Sequence, residues 1–262
     1  MEIAPHQPLG ATLTGVDLAT LDQRGAEELK DLLAEHGVLH LPGHDHLDDD
    51  AFVAALRRLG PLTFTEGETP VAGHPDLNVV SNVGRTRPPR SSFHTDTSYV
   101  ARPPAYTALR AVSVPEQGGA TMFTDQRRAL ATLPAPLREQ VEGHDLTHVV
   151  TGLDLDDDAQ TSAVHPLVRP HPRSGQPSLF LTTPPRCAAI SGMDAAETAA
   201  IVEVLFEHSI REDHRYRHAW SPGDVIIWDN AVVLHAADHS AVVGDRVLHR
   251  GMIGADGYAR TA

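Results

Sequence analysis

His94-Thr95-Asp96, a distant His235 and, shortly after it, Arg246 are the residues of this 262-residue chain whose types and spacing best suit chemistry. Two imidazoles and one carboxylate can cover one face of Fe(II) and leave the opposite face open for a chelating cosubstrate and O2. An arginine placed a little beyond the distal histidine can anchor the far carboxylate of 2-oxoglutarate, because a guanidinium offers a planar fork of donors to an anion.

The His-x-Asp pattern alone is weak, since it occurs three times among 17 histidines: His46/Asp48, His74/Asp76 and His94/Asp96. The first pair lies in a charged run that reads as a loop and helix start. The second reads as a turn before a strand. His94 follows an Arg/Pro-rich stretch and precedes a long β segment, and donors at i and i+2 can face one ion where a strand end is bent. The distal part runs as turn, apolar strand, turn from Pro222 to Asn230, then Ala-Val-Val-Leu to His235. Beyond it, residues 246, 248 and 250 share one strand face, so Arg246 and Arg250 can enter one cavity, where each needs an anionic partner. Two other readings stand beside this one. A zinc hydrolase with two histidines and one aspartate would use the same donors around an open water position, and a non-enzymatic jelly-roll binding module would leave the histidines on its surface.

Positioning such residues requires a β framework. Strands are predicted over 9–18, 38–41, 77–80, 106–114, 146–150, 164–168, 178–181, 225–228 and 247–253, with Gly, Pro and Asn at the turns. Helices are predicted over 22–36, from Asp48 through Leu59, over 125–142 with an interruption at Pro134 and Pro136, and over Asp194–Ser209 with Asp194 as N-cap. Lys30, the only lysine, is placed on a surface helix. The pattern implies a mainly β fold, a sandwich or jelly roll with flanking helices, and one domain spanning 1–262.

Composition narrows the partners. The formal net charge of −14 disfavours nonspecific nucleic-acid binding, which rests on Lys and Arg neutralising phosphates. A single cysteine, Cys187, excludes an internal disulfide framework and fits a reducing compartment. No basic stretch followed by an apolar run opens the chain, and no apolar run is long enough to span a membrane, so a cytoplasmic protein is expected.

The chain resembles the taurine dioxygenase-like superfamily (TauD/TfdA type) of Fe(II)/2-oxoglutarate-dependent oxygenases over nearly its whole length. The resemblance is carried by Leu9-Gly-Ala…Gly-Val-Asp-Leu18, Phe93-His-Thr-Asp96, Gly118-Gly-Ala-Thr-Met-Phe-Thr-Asp125, His165-Pro-Leu-Val-Arg-Pro-His-Pro172, Pro222-Gly-Asp…Trp-Asp-Asn230, His235 and Arg246. It implies a double-stranded β-helix core, a cupin-like jelly roll with the metal at its mouth. It implies His94, Asp96 and His235 as iron ligands, Thr121 and Arg246 on the distal carboxylate of 2-oxoglutarate, and Trp228 near that cosubstrate or in the core. Arg250, with help from Arg90, would bind an anionic group of a small substrate, whose C–H bond is oxidised with O2 while succinate and CO2 are released. Related proteins often form dimers or tetramers, so a homo-oligomer is a further expectation. Two departures speak against taurine itself: the stretch Leu62–Glu68 carries no histidine, and position 90 is arginine where taurine-specific members have asparagine. Segments 61–72, 85–93 and 151–163 are expected to supply the pocket and its lid.

Overall fold

The computed structural model describes residues 1–64, 67–85, 91–152, 155–156 and 159–255. A nine-stranded, mostly antiparallel sheet dominates it. Its spatial order is Glu2–Pro5, Ala11–Thr14, Val38–Leu41, Val225–Asp229, Tyr106–Ser113, Val247–Ile253, His74–Ser81 and Pro70–Val71, with Leu62–Thr63 also beside Val247–Ile253. A three-stranded sheet, Arg215–His218, Thr121–Asp125 and Val233–Ala237, faces it.

The two faces of the large sheet have different neighbours because side chains alternate along a strand. The outer face, including Leu39, Leu41, Ala108, Val225, Ile227 and Ile253, packs on Leu29 and Leu33 of helix α1 (Gln23–His36) and on Phe52 and Leu56 of helix α2 (Asp49–Leu59). Aspartate caps start both helices: Asp22 accepts from the Gly25 amide and Asp48 from the Ala51 amide, each at 2.8 Å. Lys30 is not on a solvated face as expected from sequence. It is buried within α1, with Nζ 2.9 Å from Glu27, because its long stem covers apolar surface while its ammonium keeps a carboxylate partner.

The inner face, with Leu109, Ile226, Trp228 and Leu248, meets Phe123 and Val233 of the small sheet. This sheet-on-sheet layer is the jelly-roll core. A third hydrophobic cluster joins helices α3 (Gln126–Ala131), α4 (Ala135–Val141) and α5 (Ala195–Ser209) to short strands over 145–190. The break between α3 and α4 falls at Pro134, and α5 begins with a full capping box between Asp194 and Glu197. Cys187 lies in this cluster, and burial pushes its thiol up to about 11. Among the described residues no helix is long and apolar enough to cross a membrane.

Two strands expected from sequence shift, and a third was not expected. His74 belongs to the strand itself, not to a turn before it; the expected first strand is only Ala11–Thr14, paired with the unexpected Glu2–Pro5; and Thr121–Asp125, read only as part of a family-like stretch, is the centre of the small sheet.

Candidate metal centre

His94 and His235 are 141 positions apart in sequence yet face one another as a two-residue antiparallel bridge. Each backbone amide donates to the other's carbonyl at 3.0 Å. Directly opposed residues project to the same side, so the imidazoles stand together, ring centroids 4.3 Å apart. The bridge adds His94 to the edge of the small sheet. Two residues on, Asp96 reaches across to the large sheet, where its Oδ2 accepts from the Thr107 hydroxyl at 2.8 Å. Its other oxygen, Oδ1, lies 3.7 Å from Nε2 of both His94 and His235.

That spacing is diagnostic. A distance of 3.7 Å is too long for a hydrogen bond, but suits donors sharing an ion at bonds of roughly 2.1 Å. His94 Nδ1 donates to the Ser92 carbonyl at 2.9 Å, which leaves Nε2 with its lone pair free, as a ligating histidine requires. Burial pushes the His235 imidazole down to about 3, so it is neutral. Burial opposes ionisation of Asp96, but His235, His94 and Arg250 around it together hold its carboxyl well below the usual carboxylate range. The donor set is therefore the neutral His235 imidazole, Nε2 of His94 and the Asp96 carboxylate. Thr97, next along the chain, has a φ of +46°, a left-handed conformation that β-branched residues rarely adopt; such strain persists only where the surrounding structure over-determines it.

Trp228 braces this triad together with Asn230 and Thr107, to which the sequence assigned no role. Trp228 Nε1 donates to Asn230 Oδ1 at 3.1 Å, Asn230 Nδ2 donates to Thr107 Oγ1 at 2.9 Å, and Thr107 donates to Asp96. This directed chain fixes which carboxylate oxygen is committed and which faces the histidines. Trp228 is fully buried and also packs on the His235 ring, 4.5 Å between centroids. From the strand Ser162–Pro166, His165 Nε2 donates to the Ser98 and Val100 carbonyls, and the Leu181 carbonyl accepts from Thr95, so the loop after His94 is pinned from behind. Thr107→Val is expected to lower affinity for a divalent metal by about 10–100-fold, the usual cost of losing such a support, with little change in melting temperature; titration with Mn(II) followed by paramagnetic resonance measures it.

Behind the triad, Arg246 is 1% exposed. Its Nε donates to the Gly119 carbonyl at 2.7 Å and its Nη2 to Thr121 Oγ1 at 3.2 Å, while Nη1 has no partner among the described residues. Thr121 Oγ1 also accepts from Trp220 Nε1 at 3.0 Å. With both acceptor positions used, the Thr121 hydroxyl hydrogen is left to donate elsewhere. Burial lowers the Arg246 guanidinium to about 10, still cationic at neutral pH. A buried cation with a spare donor, beside a hydroxyl with a spare proton, calls for an anion. Gly119 makes this possible: its φ is +70°, and a Cβ there would lie 2.9 Å from Arg246 Cδ.

Arg250, on the same strand face, reaches the triad itself, with Nη1 3.6 Å from Asp96 Oδ1 and Nη2 3.4 Å from Glu68 Oε1. Arg90 lies outside the described residues. A second group of two histidines and one aspartate, His40, His218 and Asp224, lies elsewhere. There the imidazoles donate directly to the two carboxylate oxygens at 2.8 and 3.0 Å, so the lone pairs and protons are already matched. His218 meets Trp220 edge-on, 4.9 Å between centroids, and so backs the tryptophan that holds Thr121.

Comparison with known proteins agrees with this architecture. Residues 2–252 match the family described as taurine catabolism dioxygenase TauD, TfdA family. An (S)-phenoxypropionate/alpha-ketoglutarate-dioxygenase of Delftia acidovorans is 30% identical over 88% of this chain and 86% of its own. An alpha-ketoglutarate-dependent sulfate ester dioxygenase of Pseudomonas putida is 31% identical over 92% of this chain and 85% of its own. Among solved structures, a taurine dioxygenase from Burkholderia xenovorans superposes with a TM-score of 0.84 at 30% identity, covering 97% of this chain and 91% of that one. Fold and relatives define a jelly-roll enzyme of the α-ketoglutarate-dependent dioxygenase class. The chain belongs to the TauD/TfdA family.

Proposed function

We propose that residues 1–262 form one catalytic unit that uses Fe(II), 2-oxoglutarate and O2 to oxidise a C–H bond of a small substrate bearing an anionic group, with release of succinate and CO2. The observation that carries this reading is the convergence of His94, Asp96 and His235 at non-hydrogen-bonded spacing. The donors suit Fe(II), as a set of two imidazoles and one carboxylate with an open face does. His94 Nε2, Asp96 Oδ1 and His235 Nε2 hold the iron. Arg246 Nη1 and the Thr121 hydroxyl take the distal carboxylate of 2-oxoglutarate. Arg250 faces the substrate anion, and Arg90 is assigned to the same anion from the family resemblance alone. Trp228 holds the His235 ring and, through Asn230 and Thr107, the Asp96 carboxylate. Bound in this site, iron and 2-oxoglutarate supply the oxidising power for C–H cleavage, while the protein orients and shields them.

A zinc hydrolase would share the three donors but gives no role to the buried cation at Arg246. Fe(II) and 2-oxoglutarate added without oxygen are expected to produce a weak visible charge-transfer band, and oxygen then to produce succinate. A protein that binds zinc, shows no such band and forms no succinate would sink the assignment.

A further inference from the structure

The site that Arg250 faces already holds a carboxylate. Its Nη2 is held 3.4 Å from the Glu68 carboxylate, and its Nε is buried without a partner among the described residues. Directly across the ladder, Asn78 pairs with Arg250 in register, which puts both side chains on the inner sheet face. Asn78 is 0% exposed, and neither Nδ2 nor Oδ1 has a partner among the described residues. A carboxamide unsatisfied at both ends, on the sheet face that also carries Arg250 and Thr107, marks an incomplete polar site.

We infer that the primary substrate is an amino acid, its carboxylate held by Arg250 and its ammonium by Glu68, with Asn78 offering one donor and one acceptor to the same ligand. This rests on the oxygenase reading above, in which Asp96 is committed to the metal and Glu68 is the carboxylate left to Arg250. A plain anion would have to separate Glu68 from Arg250 and then sit against a second negative charge, and like charges brought together select against a ligand. A zwitterion exchanges the existing ion pair for two, with its own charges a few bonds apart as the protein's are. Glu68, a third exposed, is the outer member of the group, and Asn78 the inner one.

The test pairs each proteinogenic amino acid with its des-amino carboxylic acid. Binding is measured by calorimetry to protein loaded with Mn(II) and 2-oxoglutarate without oxygen, and turnover by succinate release with Fe(II). At least one amino acid should bind about tenfold or more tightly than its des-amino counterpart, the equivalent of one lost charged contact. Glu68→Gln should erase that preference by weakening the amino acid and strengthening the counterpart, and Asn78→Leu should weaken both. A panel in which no amino acid outbinds its counterpart overturns the inference, as does a Glu68→Gln variant that binds every compound more tightly by the same factor. Either result leaves the charge-transfer band intact, whereas failure of the oxygenase reading removes it.

Discussion

Arg246→Ala is expected to weaken 2-oxoglutarate binding by roughly 10–100-fold, since the charge-assisted hydrogen bond from Nη1, worth about 1.5–3 kcal/mol, disappears. Metal affinity should change little, because the guanidinium contacts Gly119 and Thr121 and none of the triad. Arg246→Lys keeps the charge but not the planar fork, and should recover only part of the loss. Gly119→Ala reaches the same guanidinium indirectly: the added methyl would press on Arg246 Cδ at 2.9 Å in a backbone conformation that alanine resists. It should raise the dissociation constant by about tenfold, a shift of ~1.4 kcal/mol, without removing any donor. Anaerobic titration of the charge-transfer band at saturating Fe(II) reads all three variants. If Arg246→Ala held 2-oxoglutarate as the unaltered protein does, the anion near Thr121 would have to be something else.

The legible parts of this site are those that local spacing dictates. Alternation along one strand puts Arg246 and Arg250 on one face whatever their neighbours do, and both do face inward. Helix starts at Asp48 and Asp194 are legible because capping chemistry is local. The triad was legible only as a pattern with three candidate His-x-Asp pairs. What separates them is the ladder contact between His94 and His235, which depends on register between distant segments, and register has no local signature. Thr107, Asn230 and Trp220 escaped notice for the same reason: a threonine in a strand and a tryptophan beside a turn look like ordinary β-formers until the opposing sheet shows what their polar atoms meet. Asn78 had a faint signal, a lone carboxamide in the apolar run Leu77-Asn-Val-Val80. Glu68 had none, since its meaning comes entirely from Arg250.

Removing any one triad donor should abolish both succinate formation and the stabilisation that metal confers. A metal that binds only the folded chain adds about 2.7 kcal/mol at a hundred times its dissociation constant, so the unaltered protein should melt higher with Mn(II). His94→Ala, His235→Ala and Asp96→Asn should not. Asp96→Asn is the sharpest of these, because its remaining carbonyl can still accept from Thr107 while the charge facing the two imidazoles is gone. Its metal-free melting temperature should stay close to that of the unaltered protein, so loss of the metal response cannot be ascribed to misfolding. The second histidine pair supplies the control. His40 and His218 already spend their protons on Asp224, and inserting an ion there means breaking two short hydrogen bonds to a buried carboxylate, which leaves less net gain than the open 3.7 Å triad offers. Metal should therefore bind at one equivalent per chain, and His218→Gln should keep the Mn(II)-induced rise in melting temperature. A rise that survives Asp96→Asn but is lost with His218→Gln would place the ion in the wrong cluster and take the assignment of His94, Asp96 and His235 with it.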